Sequence, residues 1–216
     1  RAAETPRQRS VHRHPAASAD LGPAQQDLSI PGLVRQRVVF RYEILLRYPR
    51  VSKRYFLECS GNSARAMQAL ASNARWTGVP LKKVLDSVGV KANGREIVFF
   101  GGDSGTEEVE FRGRKYDVEQ QYGRSMSVDD AMDAGPFIAT GMAGKPLSVH
   151  QGFPLRLIVP GWYGAPNVKW LSNVHVQQDP YLGKYQARWY RTLRGQMVGD
   201  EMKWTENAIT NMRLKS

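Results

Sequence analysis

A single cysteine, Cys59, is the feature that most restricts what this chain of 216 residues can form. A lone thiol cannot make an internal disulfide, and it cannot build a cysteine-rich zinc or iron–sulfur site. Cys59 follows an apolar run at residues 55–57 and precedes the small polar residues 60–62. Three interpretations stay open: a buried thiol that packs as a small hydrophobe, a nucleophile, or the one protein thiolate on a soft metal whose other ligands come from a cofactor.

Composition and charge indicate a folded domain with an anionic partner. The apolar fraction of 41% suits a folded protein, and no apolar run approaches the ~20 residues of a membrane helix. The formal net charge of +11 fits nucleic acid, an acidic protein surface or a small oxyanion. The basic residues are scattered, not gathered into one helix or tail, which argues against nucleic acid. Residues 1–18 are basic and polar and lack the apolar segment of a signal peptide.

The hydrophobic pattern predicts an irregular mixture of strands and short helices, hence an α+β fold and not a doubly wound one. Helices are predicted at residues 42–48, 61–70 and 80–88, and from a capping pattern at residues 127–130. Strands are predicted at residues 37–40, 53–59, 96–100, 107–111, 137–139, 155–159, 168–176 and 208–214. Residues 101–105, which include three glycines, predict a tight turn that could alternatively present backbone N–H groups to a phosphate.

Three regions are expected along the chain. Residues 1–29 show no periodicity and predict an extended segment, and residues 30–176 carry the mixed pattern of one domain. Residues 177–216 change to aromatic, basic and threonine-containing segments, which indicates the start of a separate β domain. Because the last predicted strand is followed by no turn, we expect that the chain stops inside this domain.

Two cations interrupt apolar strands. Arg156 lies in the middle of the strand predicted at residues 155–159, and Lys169 lies between Val168 and Trp170. A cation in an apolar strand is costly unless it meets an anion or a carboxylate. The pair therefore predicts a buried anionic ligand, with an ordinary alternating strand and outward charges as the alternative.

The remaining motifs give little support to nucleotide binding or to a zinc site. Gly144 and Lys145 resemble the end of a Walker loop, but Ala139 and Pro146 replace residues that the motif requires, and there is no G-x-G-x-x-G. The spacing of the four histidines does not favour a zinc site, and a cysteine hydrolase that pairs Cys59 with one of them stays open. The histidines are His12, His14, His150 and His175.

Four stretches together resemble the sulfite oxidase family of molybdenum enzymes, most closely the bacterial sulfite and sulfane dehydrogenase subunits. They are IPGLVRQRVV (30–39), RYFLECSGN (54–62), ARWTGVPLKKVL (74–85) and GFPLRLIVPGWYGAPNVKWL (152–171). The resemblance implies that residues 30–176 form a molybdopterin-binding domain. It also implies that residues 177–216 carry the active-site tyrosine and begin a truncated, immunoglobulin-like dimerisation domain.

The resemblance implies a molybdenum pyranopterin cofactor, whose dithiolene supplies two sulfurs and so leaves Cys59 as the one protein ligand of the metal. Positions that contact the cofactor in the family correspond to Asp103, Ser125, Arg156 and Lys169. The cofactor phosphate would account for the buried cations. There is no C-x-x-C-H motif, so any haem is expected on another polypeptide.

The resemblance also implies a catalytic site. Tyr190 falls at the position of the active-site tyrosine, and Arg13 at that of the substrate-pocket arginine. Trp76 matches a pocket-wall tryptophan, and Arg65 and Arg188 are expected to add positive charge to the pocket. The chain departs from the family at three places: Ala64 stands where the animal enzymes have arginine, and Gln151 and Pro15 stand where histidines are usual.

The expected function is the oxidation of sulfite or a related sulfur oxyanion by oxygen-atom transfer. Electrons are expected to pass to a separate c-type cytochrome or haem subunit. A homodimer or larger assembly, no nucleic acid partner, no membrane span and a periplasmic location are expected by resemblance. The alternative is a non-catalytic or remnant subunit of the same fold that serves as an assembly surface.

Overall fold

The computed structural model describes residues 27–60 and 71–210, and these residues form an α+β fold made mostly of strands. They build two five-stranded sheets and a separate two-stranded sheet. The first sheet contains β1 (Leu28–Ile30), β2 (Val38–Phe40), β5 (Glu96–Phe111), β6 (Arg114–Ser127) and β10 (Leu171–Gln177). The second contains β3 (Val51–Glu58), β4 (Ala71–Pro80), β7 (Phe137–Met142), β8 (Lys145–Pro146) and β9 (Arg156–Ile158). The two-stranded sheet contains β11 (Arg191–Val198) and β12 (Glu201–Ala208).

Most neighbouring strands run antiparallel. The first sheet has the order β2-β1-β10-β5-β6, and β1 is parallel to β10. The second has the order β3-β4-β7-β8, with β9 also paired to β7. One hydrophobic core joins both sheets, because Leu28, Ile97 and Val174 of the first pack in the same cluster as Val79 and Ile138 of the second.

The described residues include three short α-helices, which confirm the helices predicted for these parts of the sequence. They are α1 (Tyr42–Leu45), α2 (Leu81–Val88) and α3 (Val128–Met132). The buried residues of α2 recur at helical spacing, at Leu81, Val84, Leu85 and Val88. The Ser127 hydroxyl accepts a hydrogen bond from Asp130 N at 3.0 Å and caps α3 as predicted. The helix predicted at residues 61–70 lies outside the described residues. Within the described ranges, no helix is long and apolar enough to cross a membrane.

The tight turn predicted at residues 101–105 is wrong, because β5 runs through it. The register between β5 and β6 shifts between Phe100 and Ser104, which is a β-bulge. Gly101 is needed there because a Cβ at this position would overlap the Asp103 carboxylate. Beyond the bulge, β5 and β6 continue as an exposed two-stranded ribbon that ends at the pair Phe111 and Arg114.

The first and last described strands begin and end at other residues than the sequence predicts. β1 starts at Leu28, inside the segment predicted as extended. β12 ends at Ala208, where the sequence predicts a strand to begin, and residues 211–214 lie outside the described residues. Before β11, a π-helical turn at Lys184–Arg188 precedes Tyr190. The two-stranded sheet follows it, and its assignment to an immunoglobulin-like domain stays a prediction.

Candidate functional site

Cys59 lies directly after β3, where the sheet ends. Glu58, the last residue of β3, pairs with Ala71, and the Cys59 side chain is partly exposed. The backbone of Gly164 lies against this strand end, since Gly164 N donates to Glu58 O at 2.7 Å. A Cβ on Gly164 would come within 3.3 Å of Glu58 O and 3.8 Å of Cys59 Cα. Cys59 is therefore partly exposed, and Gly164, which has no side chain, packs against its backbone.

The loop that carries Gly164 is fixed by side-chain bonds to its backbone. Asn167 accepts from Val159 N at 2.7 Å and donates to Tyr163 O at 2.8 Å. The Tyr122 hydroxyl donates to Ala165 O at 2.6 Å. Because both ends of the loop are tied, the contact with the Cys59 strand end has a defined geometry.

A run of backbone hydrogen bonds connects Glu58, the neighbour of Cys59, to Tyr190. Tyr190 bonds the segment after β12, that segment bonds the loop of Gly164, and the loop bonds the end of β3. The bonds are Ile209 N to Tyr190 O at 2.8 Å, Tyr163 N to Thr210 O at 3.0 Å, and Gly164 N to Glu58 O at 2.7 Å. Two of the predicted site residues, 131 positions apart in the numbering, thus lie on segments that backbone hydrogen bonds link through two intermediate segments.

Arg156 is a buried cation, as the sequence predicts. Its side chain is 5% exposed and lies 5.0 Å over the Trp76 ring, and Nη1 donates to Gln151 Oε1 at 3.1 Å. Burial lowers the pKa of Arg156 to about 10. Its Nε has no hydrogen-bond partner in the described part of the chain. One donor of this guanidinium therefore stays available for a ligand.

Lys169 and Asp103 are a second buried pair of ionisable groups. Lys169 donates to His150 O at 3.0 Å and lies 5.0 Å over the Trp170 ring. Burial, reinforced by the positive charge of Arg156, lowers the pKa of Lys169 to about 6. Burial raises the pKa of Asp103 to about 6, against the opposing effect of Lys169. In both groups the pKa is shifted in the direction that favours the neutral form, and shifts of this kind are common at functional sites.

These two pKa values predict the pH dependence of the cofactor-free protein. Between pH 6 and 10.5 the unfolded chain binds more protons at Lys169 than the folded one, so stability rises with pH there. Between pH 3.8 and 6 the folded chain binds more protons at Asp103, so stability falls with pH there. Lys169→Met should lower the slope above pH 6 by up to about 1.4 kcal/mol per pH unit, measured by urea unfolding.

The exposed Lys91 offers a matched control for this measurement. Lys91→Met should leave the slope as in the unmodified protein. Equal slopes for Lys169→Met and Lys91→Met would contradict the assignment of the low pKa to Lys169.

The residues of this region fit an anionic, polar group. Among the described residues, five buried side-chain atoms lack hydrogen-bond partners, and three of them belong to predicted site residues: Asp103 Oδ1, Arg156 Nε and Trp76 Nε1. The Tyr122 hydroxyl lies within electrostatic range of Asp103, Tyr190 and Arg156. A ligand with phosphate oxygens and ring nitrogens would supply acceptors and donors for such atoms.

Tyr190 has an unusual backbone. Its φ is +57°, in the left-handed region that non-glycine residues seldom occupy. The preceding π-helical turn is bonded to the first sheet, because Gln186 Nε2 donates to Ser125 Oγ at 2.5 Å and Lys184 pairs with Glu107 at 2.8 Å. The strained conformation is thus imposed by surrounding contacts.

Several predicted residues have other surroundings than expected. Ser125 is buried, and its hydroxyl is bonded to Glu96 and Gln186. Trp76 is 1% exposed beneath Arg156, five residue pairs along the β3–β4 ribbon from Glu58, or roughly 17 Å. Arg188 is exposed and bonds Glu107 at 3.4 Å. Arg13 and Arg65 lie outside the described residues.

Sequence reasoning missed the residues that support the site. Asn167, Gly164 and Tyr122 lie within or beside the quoted motifs, yet their role depends on backbone partners that no local pattern reveals. Arg124 was missed as well, although a cation between the small residues Gly123 and Ser125 in an otherwise buried stretch was a signal. No group of three or more His, Cys, Asp or Glu gathers within the described ranges.

Fold and site together define a domain of two packed sheets that buries cations and unpartnered polar atoms and carries one partly exposed thiol. The oxidoreductase molybdopterin-binding domain family matches residues 14–185. The chain therefore belongs to this family and is of the sulfite oxidase type. The predicted resemblance, the α+β fold and the molybdopterin cofactor are confirmed.

Relatives of two kinds resemble the chain. It is 30% identical over 179 residues to the NADH nitrate reductase of Ulva prolifera, covering 76% of this chain and 19% of that protein. It is 32% identical over 163 residues to the mitochondrial sulfite oxidase of Homo sapiens, covering 68% and 28%. The crystal structure of the sulfane dehydrogenase SoxCD from Paracoccus pantotrophus matches with a TM-score of 0.72 and 27% identity, covering 91% and 49%. The chain thus spans half or less of the length of these relatives.

Proposed function

We propose that this chain is the molybdenum-cofactor part of an enzyme that oxidises sulfite or a related sulfur oxyanion. For sulfite, the balanced reaction takes one oxygen atom from water and yields sulfate, two protons and two electrons. The electrons pass to a separate haem protein, for which we propose a c-type cytochrome. The observation that carries the proposal is the hydrogen-bonded connection of the strand end at Cys59 to the left-handed Tyr190, in a domain that buries the cations Arg156 and Lys169.

Each residue of the site would have a defined task. Cys59 would bind the metal as a thiolate, and Arg156, Lys169, Asp103 and Ser125 would hold the cofactor. Bound molybdenum supplies two-electron oxygen-atom transfer. When an anionic phosphate replaces water near Lys169, its negative charge raises the lysine pKa and the ammonium form becomes the stable one.

Tyr190 and the pocket cations would act on the substrate. The Tyr190 hydroxyl would donate a hydrogen bond to the substrate oxyanion and fix its orientation, and Arg13, Arg65 and Arg188 would supply the positive potential that attracts it. Trp76, which packs beneath Arg156, would act on the pocket through that guanidinium.

Nitrate reduction is a second candidate, favoured by the similarity to the nitrate reductase of Ulva prolifera. It is oxygen-atom transfer in the opposite direction: nitrate takes up two protons and two electrons and yields nitrite and water. A cationic pocket suits either oxyanion, so the charge of the site does not discriminate between them. A non-catalytic subunit of the same fold is the third candidate, and it predicts protein without molybdenum.

We also propose a location and an assembly for this enzyme. A periplasmic location and a homodimer or larger complex with the haem subunit agree with the similarity to the SoxCD sulfane dehydrogenase. The haem subunit would approach the face where Tyr190 and the exposed Trp189 lie, because electron transfer needs a short path to the metal.

The test combines metal content with a panel of substrates. Purified protein should contain about one molybdenum atom and one pterin per chain. It should then reduce a dye with sulfite or thiosulfate as donor, and it should not oxidise a reduced dye with nitrate or a sulfoxide as acceptor. Activity with nitrate alone would establish the second candidate, and folded protein without molybdenum or pterin would establish the third.

A further inference from the structure

Arg124 is a buried cation that the proposed chemistry does not use. It lies on β6 opposite Phe99 and is 1% exposed. Nη1 donates to Tyr185 O, and Nη2 donates to Ile209 O at 2.5 Å. The guanidinium thus joins the first sheet to two segments that are remote from it in sequence.

The two acceptors flank Tyr190 on both sides. Tyr185 belongs to the π-helical turn that leads into Tyr190, and Ile209 donates its own N–H to Tyr190 O at 2.8 Å. One guanidinium therefore fixes the chain before Tyr190 and the segment that bonds the Tyr190 carbonyl. The same segment continues to Thr210, which accepts the bond from the loop beside Cys59.

Apart from its two bonds to backbone carbonyls, no contact of Arg124 with the described residues explains why its charge is buried. Arg124 has no carboxylate partner among the described residues, and burial lowers its pKa, while the nearby phenols of Tyr122, Tyr190 and Tyr181 act in the opposite direction. A buried charge without a counterion is costly, and an apolar side chain would fill the same space without that cost. What the guanidinium adds is a planar fork that reaches two carbonyls at once.

We propose that Arg124 is a positioning residue, which holds Tyr190 in its left-handed conformation by clamping the two backbone segments that flank it. The inference rests on the proposed role of Tyr190 in turnover. A left-handed backbone is unfavourable at a tyrosine, so the segment needs external bonds to keep it. Lysine keeps the charge but cannot bridge two carbonyls with a planar fork, so it is the discriminating replacement.

The test uses Arg124→Lys in the cofactor-loaded protein. Turnover with sulfite should fall 10- to 100-fold, because a small displacement of a positioned group has that effect, while KM and molybdenum content stay nearly unchanged. Tyr190→Phe should also slow turnover. In the Tyr190→Phe background, Arg124→Lys should cause little further loss, since the phenol through which it acts is gone. Arg114→Lys, on the same strand but exposed, is the matched control and should leave turnover unchanged.

A second measurement follows the backbone itself. Hydrogen exchange of the Ile209 amide, which bonds Tyr190 O, should become faster in Arg124→Lys and stay unchanged in Arg114→Lys. Unchanged turnover in Arg124→Lys, or an equal loss with and without the Tyr190 hydroxyl, would overturn the proposal. If Tyr190→Phe itself leaves turnover unchanged, the proposed role of Tyr190 fails, and the exchange at Ile209 then reports separately whether Arg124 holds the segment.

Discussion

Cys59→Ser is expected to reduce molybdenum content to background and sulfite turnover by more than 100-fold. The thiol is the one cysteine of the chain, so no second thiolate can replace it. A serine hydroxyl is a hard ligand with a high pKa and binds a soft, sulfur-ligated metal poorly. Because Cys59 is partly exposed after the end of β3, the exchange of sulfur for oxygen should leave the fold intact.

Metal analysis and circular dichroism of the same sample measure the two effects. Ser60→Ala is a matched control at the adjacent position and should retain molybdenum. Pterin content adds information, because the buried cations are expected to retain some metal-free pterin in Cys59→Ser. Full molybdenum content in Cys59→Ser would show that the thiol does not bind the metal, and the proposed site would then lose its basis.

Arg156→Met is expected to have opposite effects on stability and on cofactor content. In the cofactor-free protein it should raise the free energy of unfolding by about 1–2 kcal/mol, because a buried guanidinium is replaced by an apolar chain of similar shape. In protein produced with the cofactor, pterin content should fall at least about tenfold, because a cation that faces the anionic group is lost. Residues that cost stability and serve binding behave in this way.

Urea unfolding of the cofactor-free protein and pterin fluorescence of the loaded protein give the two values. Arg114→Met, at an exposed position of β6, should change neither. If Arg156→Met lowers stability and leaves pterin content unchanged, the bonds of Arg156 to Gln151 and its contact with Trp76 are the reason for its burial.

The sequence predicted those elements whose own residues carry the pattern. The apolar spacing of α2 and the capping residues of α3 lie within each helix, so both were found. β6 was missed because its outer half, from Arg114, is exposed on both faces and is a strand only by pairing with β5. The turn prediction at residues 101–105 failed for a related reason: three glycines usually mark a turn, but here they permit a bulge and a close approach to Asp103.

The residues of the site also separate into those that a local sequence pattern predicts and those that it does not. Arg156 and Lys169 were predicted to be buried because a cation in an apolar strand is visible in the sequence, and both are buried. Arg124 was not, because its acceptors are main-chain carbonyls 61 and 85 residues away. Every residue has a main-chain carbonyl, so the sequence does not show which carbonyl will accept a hydrogen bond. Partners of this kind are known only from the folded structure. The roles of Tyr190 and the pocket arginines stay predictions that rest on the family resemblance.

The site draws its groups from both sheets, which sets an order of events during biosynthesis. Cys59 follows β3 of the second sheet, Asp103 lies on β5 of the first, and Lys169 precedes β10 of the first. A ribosome-bound chain that has emerged only as far as β5 has the thiol without the cations. If these residues hold the cofactor as proposed, its tight capture has to wait until Lys169 has been translated and both sheets have met, and we expect metal insertion to be a late step of maturation.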